Sequence, residues 1–158
     1  MYFLNYLYGV LIAMIMNCFH DFVERVVSDK TITVGDVRLI KRDLLPHGIS
    51  TREEADILIS LDRAIPVTCG EWADYLVATV VDYVVWSSRP TARIDADKAS
   101  WLLASLRAGV GPTENAIRIA FECVREADFI DESLSIFLMN ASRERSRRSA
   151  ISASALLG

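Results

Sequence analysis

The sequence predicts an all-α protein: a single helical bundle of about six or seven helices, with two helical hairpin repeats as its finer division. Three observations carry this. Apolar residues recur at helical spacing along nearly the whole chain, capping boxes and Gly/Pro stops punctuate it, and no run alternates with period two. At 158 residues the chain has the length of one domain, and 52% hydrophobic against 24% charged residues is the composition of a folded protein.

Residues 1–19, MYFLNYLYGVLIAMIMNCF, contain no charged side chain. As a helix they would roughly match the hydrocarbon core of a bilayer, with Tyr2, Tyr6 and Tyr8 as an interfacial belt. Asn5, Gly9 and Asn17 dilute the span, and a secretory signal's basic start and small-residue cleavage site are missing. Three readings stand side by side: a membrane anchor, an apolar first helix packed on the domain, or an over-extended start with Met14 or Met16 nearer the real beginning.

The helical domain is expected over 20–142. Phe22, Val23, Val26 and Val27 share one face of residues 20–28. Thr33 and Asp36 open the next segment, with Val37, Ile40, Leu44 and Leu45 in one stripe and Pro46-His47-Gly48 as its stop. Ser50 with Glu53 and Thr51 with Glu54 form overlapping capping boxes ahead of Ala55, Leu58, Ile59, Leu61 and Ile65. A box of Thr68 and Glu71 begins the strongest helix, Trp72 to Val84. Its run TVVDYVVW favours strand by propensity but keeps helical spacing. Residues 87–91 form a loop, Asp95 caps a helix through Leu106, and Gly109, Gly111 and Pro112 stop it. Thr113 and Asp131 start the last two helices. A weak repeat at an offset of 45 sets Leu58 on Leu103 and Leu61 on Leu106.

Seventeen basic and 21 acidic residues give a net charge of −4 and a mean hydropathy of +0.27. Residues 143–158 hold Arg143, Arg145, Arg147 and Arg148 against Glu144, a net of +3 that leaves −7 for the rest. That acidic body argues against nucleic-acid binding by the folded domain, and the Arg/Ser-rich end reads as a disordered tail. Cys18, Cys69 and Cys123 are too scattered for a disulfide framework or zinc site; the usage fits a reducing compartment, with Cys69 and Cys123 as buried thiols.

At His47-Gly48-Ile49-Ser50-Thr51-Arg52-Glu53-Glu54 the chain resembles the turn-to-helix start of TerB-like proteins, the tellurite-resistance-associated helical family. Residues 94–98, IDADK, resemble a second such start, and the likeness covers roughly residues 30–140. It implies an all-α bundle with a stress-response or membrane-adjacent role. His47 stands where that family has an acidic residue, and the second start lacks glycine, so the family's metal-binding carboxylates are not carried over.

No catalytic, cofactor or metal residue is assigned. An EF-hand around Gly48 fails because Leu45 stands where an oxygen ligand is needed. Asp95 and Asp97 read as helix-start carboxylates. His20 and His47 have no partner at helical or hairpin spacing. Cys69 precedes Gly70 at a helix start and reads as a small residue near the cap, and no phosphate cradle or hydrolase elbow occurs. Trp72 is expected in the core and Trp101 between the hairpins, while Trp86, at a helix end beside the 87–91 loop, is open between core and an exposed interface anchor. The expectation is a non-enzymatic interaction module of a bacterial cytoplasm, tethered to the inner membrane or free, that binds a protein partner or itself. The alternative is a TerB-like divalent-cation-binding stress protein using Glu53, Glu54, Asp95 and Asp97.

Overall fold

Seven α-helices form among the described residues of the computed structural model, residues 2–157, and the fold is all-α as expected. The chain divides into two compact units, Met1–Leu76 and Val77–Gly158, where one domain over 20–142 was expected. The division falls inside a helix rather than at the 87–91 loop.

The first unit holds α1 (Tyr2–Asp29), β1 (Thr31–Ile32), α2 (Val34–Leu39), α3 (Arg52–Ala64), β2 (Val67–Thr68) and the opening turns of α4 (Gly70–Val81). Thr33 caps α2 reciprocally: its hydroxyl accepts from the Asp36 amide, and the Asp36 carboxylate accepts from the Thr33 amide. A π-helical stretch, Ile40–Leu44, continues α2, and Gly48 takes the left-handed turn at φ 78° beyond it. Thr51 and Glu54 form the predicted box on α3. Glu54 Oε2 also accepts from the Ser50 amide at 2.7 Å, so one carboxylate serves both predicted caps and Glu53 stays exposed. Because α4 begins at Gly70, Cys69 immediately precedes it and Thr68 belongs to β2. β1 and β2 pair in parallel, Thr31 opposite Val67 and Ile32 opposite Thr68. The core of this unit takes Phe19, Phe22 and Val26 from α1, with Ile32, Val37, Ile40, Leu58 and Trp72. Accordingly α1 packs on α3, β1 and the π-helical stretch.

The second unit holds the rest of α4 with its π-helical continuation Asp82–Ser87, then β3 (Arg93–Ile94), α5 (Ala96–Arg107), α6 (Glu114–Glu126), β4 (Phe129–Ile130) and α7 (Glu132–Leu156). TVVDYVVW is helical, as its spacing predicted over its strand propensity. Asp95, Thr113 and Asp131 cap α5, α6 and α7 through side-chain acceptance of amides in the first turn. Gly109 and Gly111, at φ 78° and 124°, turn the chain between α5 and α6. β3 pairs in parallel with β4, and α5 and α6 both pack on α7. Val84, Ile94, Leu102, Leu106, Ile119 and Leu134 form the core.

Two expectations are corrected here. Residues 143–156, expected as a disordered tail, continue α7 as an exposed helix. Arg and Ala are strong helix formers, and a helix already nucleated at Asp131 propagates through them. The repeat also runs in a different register, 62 residues rather than 45. Thr33 and Asp95 are equivalent caps, as are Thr51 and Thr113, while Lys30 and Ala92 are equivalent left-handed residues at φ 56° and 55°. The Cys69 amide donates to the Ile32 carbonyl at 3.0 Å, and the Asp131 amide to the Ile94 carbonyl at 2.8 Å.

Candidate functional site

Two buried charges stand out, Asp36 and Lys98, and the 62-residue register makes them equivalent. Each follows its unit's left-handed residue by six positions. A twelve-residue calcium loop has the same interval between its turn glycine and its closing carboxylate.

In the first unit Asp36 accepts from the Thr33 amide and hydroxyl, both at 2.8 Å, and from Arg25 Nη2 at 2.6 Å. Burial raises its carboxyl, but the Thr33 and Arg25 hydrogen bonds outweigh that and hold it below the ordinary value. In the second unit the Lys98 ammonium donates to the carbonyls of Val84, Ser88, Pro90 and Arg93 at 3.0, 3.1, 2.8 and 2.9 Å. These carbonyls come from the middle of the π-helical stretch, the following loop and β3. One side chain therefore ties together three pieces of backbone, and the Val84 carbonyl also accepts from the Ser88 hydroxyl at 3.2 Å.

A second feature is a groove of about 850 Å³ between α6 and α7. Ile117, Phe121, Val124, Leu138, Met139 and Ala141 supply its apolar wall. Phe121 and Met139 are 56% and 55% exposed, and an Arg145–Glu114 ion pair joins the two helices at its rim. The third is α1 itself. Residues 2–17 are exposed and twelve of them, from Tyr2 to Met16, are large apolar side chains, while burial begins at Phe19. The helix is long and apolar enough, by length and composition, to cross a membrane. A first helix packed along its whole length is therefore not what forms.

The residues singled out from sequence disperse. Glu54 and Asp95 are engaged in helix caps, Glu53 and Asp97 are exposed, and the two pairs lie in different units. Among the described residues no three His, Cys, Asp or Glu side chains gather so as to hold a metal ion. His47 is exposed, and His20 does have a helical partner, Glu24, with Nε2 and Oε1 3.1 Å apart. Cys123 is buried, and burial pushes its thiol up to about 12 with Glu126 adding to the rise. Of the two thiols expected to be buried, Cys123 is and Cys69 is half-buried, while Cys18 is exposed on α1.

Trp72 is fully buried, its indole N–H donating to Asp62 at 2.9 Å, as its apolar stripe predicted. Trp86 is half exposed and donates to Glu126 at 3.0 Å. Trp101 meets Tyr83 edge-on with ring centroids 6.0 Å apart, inside the second unit.

Comparison with protein-family models, with curated proteins and with solved structures gives no match to this chain. Function therefore rests on the geometry itself.

Proposed function

We propose that this protein is a non-enzymatic helical interaction module, tethered to the inner membrane of a bacterial cell by residues 2–17 of α1. The observation that carries the reading is the change along α1. Residues 2–17 present uncharged, mostly apolar side chains outward, whereas Phe19, Phe22 and Val26 enter the core of the first unit. In hydrocarbon a helix satisfies its own backbone, so such a segment keeps its main-chain hydrogen bonds on leaving water and removes a large apolar surface from it. The sixteen residues 2–17 span about 24 Å at the helical rise, most of the roughly 30 Å of a bilayer core.

The α6–α7 groove supports the interaction half of the reading. Its exposed Phe121 and Met139 suit an apolar segment of a protein partner, with Arg145 and Glu114 fixing its rim. The TerB-like cation-binding alternative would draw on Glu53, Glu54, Asp95 and Asp97, two of which already accept helix-start amides.

Vesicle flotation tests the tether. The full chain is expected to float with neutral phosphatidylcholine vesicles, and the chain lacking residues 2–17 is expected to stay in the aqueous fraction with unchanged helicity. A full chain that remains aqueous and monodisperse without detergent would overturn the reading.

A further inference from the structure

We propose that the segment from Val84 to Arg93 is a binding cage for a compact monovalent cation, filled here by the chain's own Lys98 ammonium. The oxygen arrangement is the first argument. An ammonium has three protons to donate, yet four main-chain carbonyls lie 2.8–3.1 Å from Lys98 Nζ. At least one proton is shared, so the carbonyls converge on a charge rather than matching donors one to one. Carbonyl oxygens used in this way replace the hydration shell of a cation.

The distances choose the class of ion. Calcium takes oxygens at about 2.3–2.6 Å and magnesium at about 2.0–2.1 Å, both shorter than this cage provides. Ammonium, an alkylammonium or potassium matches it better than either divalent ion. The loop also keeps the six-residue interval between left-handed turn and closing residue that a cation loop uses, from Ala92 to Lys98. Its equivalent in the first unit ends in Asp36, where the positive charge arrives from Arg25 instead. Only the second unit's carbonyls are thus closed around a cation that the chain itself supplies. The second unit holds its shape without drawing an ion from solution.

The experiment uses full-length protein in detergent micelles and follows thermal unfolding of wild type, Lys98→Ala and Lys98→Met. Tetramethylammonium chloride, whose cation is bulky and has no N–H, maintains constant ionic strength. Lys98→Ala vacates the cage, and its midpoint is expected to rise with added ammonium, methylammonium or potassium. The rise should reach about 5 °C at tenfold excess over the dissociation constant. Wild type is expected to stay flat, as is Lys98→Met, whose stem still fills the approach. Calcium and magnesium are expected to give no such rise.

No recovery of Lys98→Ala in any of the three cations overturns the proposal, and so does equal recovery of Lys98→Met. If Lys98→Ala does not fold in any salt, the wild-type protein decides by nitrogen-15 NMR of Lys98 Nζ. Ammonium protons protected from exchange support the cage, and protons exchanging as fast as those of the exposed lysines overturn it.

Discussion

Replacing Asp36 with Asn removes the charge from the buried carboxylate of the first unit while nearly keeping its shape. The acceptor of the Thr33 amide weakens from charged to neutral, a cap loss of about 1 kcal/mol. Arg25 is half exposed and keeps most of its hydration, so losing its ion pair adds only about 0.5–1 kcal/mol after solvent screening. The total is about 1.5–2 kcal/mol at neutral pH. Although burial opposes it, the Asp36 carboxyl is held below its ordinary 3.8 by the Thr33 and Arg25 hydrogen bonds. The folded state therefore binds this proton less readily than the unfolded one. Its stabilisation is full above the ordinary carboxylate range and is lost as pH falls through the lowered value. Urea unfolding of the full chain in micelles measures this, with Trp86→Phe and Trp101→Phe leaving Trp72 as the sole indole reporter. The stability gap between this background and the same background carrying Asp36→Asn is expected to be constant from about pH 5.5 to 7.5 and to narrow below about pH 4. A gap absent at neutral pH, or undiminished well below the ordinary carboxylate range, would refute the assignment.

Other substitutions read other contacts. Trp72→Phe deletes the indole donor to Asp62 and part of a fully buried ring, for an expected loss of about 2–3 kcal/mol by urea unfolding. Trp86→Ala, at a half-exposed ring, is expected to cost under about 1 kcal/mol; a larger loss would make that ring part of the core. Gly48→Ala must hold φ near 78° and should cost about 1 kcal/mol, while Gly70→Ala, in open space on a helix, should be neutral or stabilising. In micelles at mildly alkaline pH, a disulfide reagent should modify Cys123 only after urea unfolding, because burial pushes that thiol up to about 12.

Much of the fold was legible because caps are local chemistry. Thr33, Thr51, Asp95, Thr113 and Asp131 each announce a helix within four residues. The parallel strands were invisible, being two residues each and too short for period two to show. The 62-residue register was hidden too. Between 30–76 and 92–138 it keeps few identities, among them Ile32 with Ile94, Thr51 with Thr113 and Leu76 with Leu138. The offset of 45 laid one amphipathic helix, α3, onto another, α5, which any two such helices allow. Lys98 gave no sequence signal at all. A lysine is exposed by default, and its partners here are main-chain carbonyls that leave no mark on side-chain pattern. The apolar segment ahead of Phe19 was plain from composition, but only the structure shows where packing begins on α1.

The tether is tested most directly by the intact mass of the native protein, taken separately from the membrane and soluble fractions of its source cells. The account predicts a full-length mass confined to the membrane fraction. A soluble species beginning at Met14 or later would contradict it and leave the groove between α6 and α7 as the feature to explain.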